Sequence, residues 1–455
     1  MSKNLRDFIA YLEEAAPEHL AHVRREVDPR FELTAVLARL EQEKRFPAVI
    51  FHQVKGSSFP VVSNMHADVR RLLMAVGVEG GIPEFLRVYG RWEDNPIPPR
   101  LVPSGPVQEV VALGEAVDCT QLPIVTYHER DAGPYITLGL IIMKDPDSGV
   151  RNAGIYRLML QGRDRFGIQI SQTAHGHYIW QKNDRRNRPT EVAVVVGHHP
   201  AFYLGCMSFT PLEVDEFAVA GAVMGEPLPL VKCRTVDLEV PAEAEMVLEG
   251  IIPPGVREKE APFGEYPGTY GPMRNNPVVI VQALTRRHDA YYQNCFVGHP
   301  DNLLLTGVVR SSMIFRTVKI ACPTVTAVHM PLSGRCRFIC YVAMDKIMEG
   351  DPKNAAMAAF AADPFLKFVI VVDKDVDILD DSQVLHAMAT RLRADTDTFM
   401  VTHARGSPLD PASYDPVGGS HIVTKMGIDA TRKANYPEEI RVPGTEAIVL
   451  REYLE

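Results

Sequence analysis

The sequence predicts an α+β protein, on three observations. The first hundred residues mix helical and strand patterns and end in a proline-rich stretch. Short apolar runs separated by Gly, Pro, Asn and Asp fill the middle. Alternating buried-strand and helix patterns fill the remainder, as in a sheet covered by helices. At 455 residues the chain exceeds one typical domain. The expected parts are an α+β region at 1–105, an antiparallel sheet or barrel at 106–305 and an α/β part at 306–455.

Leu5, Phe8, Ile9 and Leu12 have i, i+3, i+4, i+7 spacing and predict a first helix. A second is expected in DPRFELTAVLARLEQEK, with Phe31, Leu33, Val36, Leu37 and Leu40 as its apolar positions, and FPAVIFHQV reads as a strand. The prolines of NPIPPRLVPSGPVQ, 95–108, read as a linker. The next strand-like runs are EVVAL, ITLGLIIMK, GIYRLML, FGIQIS, EVAVVVG, VDLEVP, MVLEGII and PVVIVQAL. In TPLEVDEFAVAGAVMG a helix is expected to start with Thr210 as cap, Pro211 in the first turn and Glu213 three residues on. Later, VKIACPTVTAVHMP and FVIVVDKDVDI read as strands, AAMAAFAADPF and SQVLHAMATRLR as helices, and 404–425 as the most loop-like stretch.

Composition excludes several classes. Net charge is −9 with no basic stripe, which argues against nucleic acid as partner. The seven cysteines form no CxxC pair, so a reduced protein is expected rather than a disulfide framework or zinc site. The charged N-terminus and the lack of a long apolar run predict no signal peptide, no membrane span and a cytoplasmic location. No GxGxxG, Walker A, HExxH or GxSxG pattern is present.

Four stretches could carry chemistry. In NAGIYRLML, Arg157 shares one face of a strand with Ile155 and Met159, so its guanidinium either needs an anionic partner or ligand or is solvated on an edge strand. Asn152 is an odd number of residues away, and a bulge at Gly154 could bring both to one site. In SQTAHGHYIW, His175 and His177 flank a glycine in an expected loop. They read either as unliganded histidines or as metal ligands. Glu216 suits a helix start. Together Asn152, His175 and Glu216 would make an O/N set suited to Mn²⁺ or Mg²⁺, though spacing alone does not bring them together. In EKEAPFGEY, Pro262 and Gly264 argue against a helix between Glu260 and Glu265. Those acids read as a solvated loop, or as a pair whose surroundings separate their proton affinities.

In order and spacing, NAGIYR, QTAHGH, DEFAVAGAVMGEPLPLVKC, EAPFGEYPG and TKMGIDAT resemble the UbiD family of prenylated-flavin-dependent decarboxylases. The resemblance implies a central flavin-binding split β-barrel at 106–305 and a C-terminal α/β oligomerisation domain. It implies prenylated FMN and Mn²⁺, with K⁺ nearby. Asn152, His175 and Glu216 would hold the metal. Asn152, Ala153, Gly154, Ile155, Tyr156, Arg157, Ala174, His175 and Glu216 would line the cofactor, with Lys367 or Lys425 as further contacts. Arg157, Glu260 and Glu265 would form a Glu-Arg-Glu network, with Glu265 as proton donor. The implied reaction is reversible non-oxidative decarboxylation through a covalent adduct to prenylated FMN. The expected substrate is a small aromatic or heteroaromatic acid of the furan-, pyrrole- or indole-carboxylate type. His299 could hydrogen-bond its ring, or be a structural histidine. A flavin prenyltransferase would supply the cofactor, and a homodimer or hexamer is expected. The alternatives are a flavin- or metal-binding subunit of a multi-component carboxylase, or an FMN oxidoreductase.

Overall fold

The computed structural model describes residues 3–414, 421–440 and 442–453. The Leu5–Ala15 helix buries Leu5, Phe8, Ile9 and Leu12, the stripe its spacing predicts, and Asn4 caps it by accepting from the Asp7 amide. In the Glu32–Gln42 helix the buried positions are Leu33, Thr34 and Leu37, while Phe31 stands at the cap with φ 72°. Both belong to the N-terminal part, whose sheet runs Leu20–Val23, Ala48–Phe51, Val61–Ser63 and finally Tyr292–Gln293. That last strand comes from far along the chain, so the N-terminal part is hydrogen-bonded to the end of the central part.

The expected linker is more ordered than a linker. Within it, Arg100–Leu101 pairs in parallel with the Pro229–Lys232 strand, and Val107 is buried.

The central ten-stranded sheet is antiparallel. Its spine is the 13-residue strand Arg274–Arg286, which takes Arg165–Gln169, Met246–Ile252, Arg257–Glu260 and Val110–Leu113 as neighbours. The pairing path starts at Tyr135–Ile136 and Arg157–Gly162 and ends at Leu140–Lys144 and Arg151–Ile155. The two ends do not pair, so the sheet is open rather than a closed barrel. It nonetheless curls back on itself, because one residue, Tyr156, links the Arg151–Ile155 strand at one end to the Arg157–Gly162 strand near the other.

Two helix expectations are corrected. The helix expected from Thr210 begins at Glu216, with Asp215 as its cap accepting from the Phe217 amide at 2.9 Å. Here the carboxylate, rather than the Thr210 hydroxyl, reaches the free amides. Residues Val318 to Ala321, read as strand, are the end of the 22-residue Pro300–Ala321 helix. Its buried face continues through Ile314, Phe315 and Val318 and stops before Pro323. The strand proper is Val325–His329.

The C-terminal sheet has five strands, in the order Val325–His329, Ile339–Met344, Phe368–Asp373, Ile422–Asp429 and Thr398–Arg405. The middle three are parallel, and helices Asp351–Ala362 and Asp381–Arg391 fall where the sequence places them. The 404–425 stretch contributes to two paired strands, and its residues 415–420 lie outside the described set. All seven cysteines are free. Among the described residues no helix is long and apolar enough to cross a membrane.

Candidate active site

NAGIYRLML is not one strand. It breaks at Tyr156 into the Arg151–Ile155 strand, which pairs with Leu140–Lys144, and the Arg157–Gly162 strand, which pairs with Arg165–Gln169. No bulge at Gly154 is needed. Gly154 and Gly176 instead leave room for Tyr156, since a Cβ at either would come within 2.8 Å of its hydroxyl.

The break sends Asn152 and Arg157 into two neighbouring groups. In the first, Glu216 is buried. Its carboxylate accepts from Asn152 Nδ2 at 2.8 Å and from the Ala153 amide at 2.9 Å, and His175 Nδ1 lies 3.9 Å away. His175 and His177 stand not in a loop but in the first turn of the His175–Arg185 helix, with Ala174 as its cap residue. His177 packs edge-on against Trp180 at 5.1 Å, and burial lowers its pKa. Only His175 joins Asn152 and Glu216.

A buried carboxylate ordinarily has a cation beside it. Among the described residues no Lys or Arg pairs with Glu216. The adjacent Arg151 is committed to Asp215 at 2.8 Å and Glu239 at 2.6 Å. A carboxylate, an amide oxygen and an imidazole, with no cation of their own, fit a hard divalent ion such as Mn²⁺.

The second group forms around Arg157. Its Nε and Nη2 donate to the two oxygens of Glu260 at 2.9 and 3.1 Å, and its Nη1 donates to Glu265. Glu260 ends the Arg257–Glu260 strand and is fully buried. Beyond it the chain turns sharply. Ala261 has φ 81°, which an L residue holds only where its surroundings impose it. The loop then folds back, with Glu265 N donating to Thr269 O and Gly271 N to Phe263 O, both at 2.9 Å. Asp131 braces it from outside, accepting from the Gly264 amide at 2.9 Å. The expected absence of a helix here is what the structure has. Phe263 forms the apolar wall, fully buried, with Arg157 Cζ 4.9 Å from its ring centroid.

The two acids sit differently. Glu260 receives a third donor, Asn276 Nδ2 at 2.7 Å, which also reaches Gln169. Glu265 has the one Arg157 contact, and burial raises its pKa, helped by Glu260 and opposed by Arg157. Burial acts to lower the Arg157 pKa, but the two carboxylates outweigh it and hold the guanidinium charged.

His299 caps the Pro300–Ala321 helix, and Gly298 just before it packs against the Glu265 backbone, where a Cβ would lie 3.3 Å from the Glu265 carbonyl oxygen. The His299 Nδ1 accepts from the Asp301 amide at 3.2 Å, and its ring stacks on Phe296 at 5.1 Å. Lys367 pairs with Asp410 at 3.0 Å, and Lys425 donates to the Pro364 carbonyl at 2.8 Å.

Sequence reasoning missed Asn276, Asp131 and Gly271. Asn276 had a register signal. It lies two residues from Arg274, which pairs with Glu260, and so lies diagonal to Glu260 on the same face. Gly271 had none, yet a Cβ there would lie 2.7 Å from Glu265 Oε1.

Comparison with known proteins shows the chain's family. Residues 11–85, 100–300 and 303–430 match the N-terminal, Rift-related and C-terminal domains of 3-octaprenyl-4-hydroxybenzoate carboxy-lyase. The chain is 37% identical to anhydromevalonate phosphate decarboxylase of Methanothermobacter thermautotrophicus, over 92% of this chain and 96% of that protein. It is similar to the UbiD-class enzyme HmfF from Pelotomaculum thermopropionicum in complex with FMN, with TM-score 0.93 and 42% identity over 99% and 100% of the two chains. An evolved dimeric form of HmfF with prFMN, prenylated FMN, gives TM-score 0.91 and 40% identity over the whole of both chains. The chain belongs to the UbiD family. Like its named relatives it is a decarboxylase, a carboxy-lyase.

Proposed function

We propose that this chain catalyses reversible, non-oxidative decarboxylation of an unsaturated carboxylic acid, with prenylated FMN as cofactor. The observation that carries the reading is the Arg157 guanidinium shared between Glu260 and Glu265, with burial raising the Glu265 pKa. Prenylated FMN supplies, when bound, the electron sink for the carbon that loses CO₂. The residues supply the rest. Arg157 orients the substrate carboxylate and holds Glu265 in place. Glu265 delivers a proton to the carbon after CO₂ has left. Glu260, fixed by Asn276, keeps Arg157 from following Glu265.

Asn152, His175 and Glu216 would hold Mn²⁺, whose charge would neutralise Glu216 and attract a cofactor phosphate. The Asn152 to Arg157 segment, with Ala174, would line the cofactor. We assign no side chains to K⁺. The sheet's inward curl is compatible with a split barrel, and we keep the division at 1–105, 106–305 and 306–455, with the last part serving a homodimer or hexamer. For the substrate, heteroaromatic acids of the furan, pyrrole or indole type remain our candidates. Open-chain acids join them, because a 37% identical relative carries anhydromevalonate phosphate in its name.

The test is co-expression with a flavin prenyltransferase, followed by absorbance and mass spectrometry of the bound flavin. A panel of unsaturated acids is then assayed for CO₂ release. Bound prenylated FMN with release from at least one acid supports the proposal. Plain FMN reduced by NAD(P)H with turnover would point to an oxidoreductase instead.

A further inference from the structure

Tyr266 follows Glu265 directly, and its surroundings are strongly basic. The Arg337 guanidinium lies 5.0 Å from the Tyr266 ring centroid, the Tyr266 hydroxyl is 2.7 Å from Ser407 Oγ, and Phe338 packs on the same ring at 5.7 Å. Arg337 is half-buried, yet its side chain makes no hydrogen bond or ion pair with any described residue. Its neighbours do not compensate it. Asp363 is the nearby carboxylate, and Arg310 already takes it at 2.6 Å while keeping a buried Nε without a partner. Lys425, on the Ile422–Asp429 strand, also interacts with Asp363. Three cations therefore share one carboxylate. Burial and the repulsion of Arg310 push the Arg337 pKa down to about 10, so it stays charged at neutral pH.

A charged, partly desolvated guanidinium with its fork unused lacks an anion. We propose that Arg337 is a specificity-determining residue that binds a second anionic group, a carboxylate or a phosphate, carried by the substrate away from the carboxylate that leaves. The proposal rests on the decarboxylase reading above. Arg337 lies on the ring of Tyr266, the residue after the proton donor, so an anion that it holds sits beside the Glu265 loop. The metal-capable set at Glu216 is a separate group of side chains, suited to a cofactor phosphate, which leaves Arg337 for the substrate.

The experiment compares wild type with Arg337→Met, which keeps bulk and removes charge, and Arg337→Lys, which keeps charge. Three pairs of acids serve as probes: pent-2-enedioate against but-2-enoate, furan-2,5-dicarboxylate against furan-2-carboxylate, and anhydromevalonate phosphate against anhydromevalonate. Binding is read by flavin fluorescence on FMN-loaded protein, and KM and kcat on the prenylated-FMN holoenzyme. For at least one pair, Arg337→Met is expected to weaken the doubly anionic acid by about tenfold or more. The singly anionic partner, FMN content and kcat stay unchanged, and Arg337→Lys restores part of the loss. The proposal is overturned if no pair shows a preference that Arg337→Met removes. It is also overturned if that variant loses FMN while acid binding is unchanged, since the anion is then the cofactor's phosphate. Arg337-dependent binding of a doubly anionic acid, without decarboxylation of any acid, leaves the anion site standing and refutes the function proposed above. If Arg337→Met fails to fold, the decision passes to Arg337→Lys. Altered discrimination within a pair then supports the proposal, and wild-type discrimination in every pair overturns it.

Discussion

Arg157 grips Glu260 with two nitrogens, at 2.9 and 3.1 Å, and turns the third toward Glu265. One guanidinium thus ties two acids of unlike environment, one locked by three donors and one held by a single contact. That asymmetry separates the partner of the arginine from the carrier of the proton.

It sets a pH dependence. Burial raises the Glu265 pKa, so Glu265 keeps its proton above the ordinary carboxyl value of about 4.3. The kcat of the holoenzyme is expected to fall as pH rises through that raised value. Stability follows the same sign: a group with a raised folded pKa contributes fully below its unfolded pKa, and that contribution is lost as pH rises through the folded one. Glu265→Gln has no such loss, so its Tm relative to wild type should climb as pH rises from about 4.3 through the raised value. A constant Tm difference across that range would refute the assigned direction.

Asn276 acts through Glu260. Asn276→Ala removes the 2.7 Å hydrogen bond to Glu260 Oε2 and is expected to lower kcat roughly tenfold with cofactor content unchanged. Steady-state kinetics beside flavin absorbance decide it. Equal loss of flavin and rate would make Asn276 a folding residue instead.

Gly271 is needed for its missing side chain. Gly271→Ala places a methyl 2.7 Å from Glu265 Oε1 and must displace that carboxylate. Activity should drop at least tenfold or so, as misplaced reacting groups cost about a hundredfold. Gly350→Ala, with nothing within 4 Å of the added carbon, is the control and should match wild type.

Metal binding should discriminate between two histidines a residue apart. His175→Ala and Glu216→Ala are each expected to weaken Mn²⁺ binding, followed by electron paramagnetic resonance, by about ten- to a hundredfold. His177→Asn, altering a ring packed on Trp180, should leave it intact. Equal loss in both histidine variants would remove the assignment.

How much of the fold and site is legible in the sequence depends on the range of the signal. The Leu5–Ala15 helix and the α/β alternation of the last third are local, periodic patterns, and they appear as read. The family motifs named Arg157, Glu260, Glu265, Asn152, His175 and Glu216, and the fold brings them into two groups. The break at Tyr156 was not legible, because a strand that changes partners keeps the same apolar alternation on both sides. The start of the Glu216–Met224 helix was misread because Thr210 and Asp215 are both good caps, and only packing chooses between them. Asp131 and Arg337 come from distant segments, and their proximity to the Glu265 loop is a property of the tertiary packing, whereas Gly271 lies in that loop and Asn276 on the strand after it, placed by the hairpin register and the way the loop folds back.

The central claim is that Glu265 delivers the proton. The most direct measurement is deuterium incorporation at the carbon that lost CO₂, for wild type and Glu265→Gln holoprotein of equal prenylated FMN content in D₂O. The account predicts rapid incorporation by wild type and a loss of about a hundredfold or more in the variant. Incorporation by Glu265→Gln at the wild-type rate would contradict it.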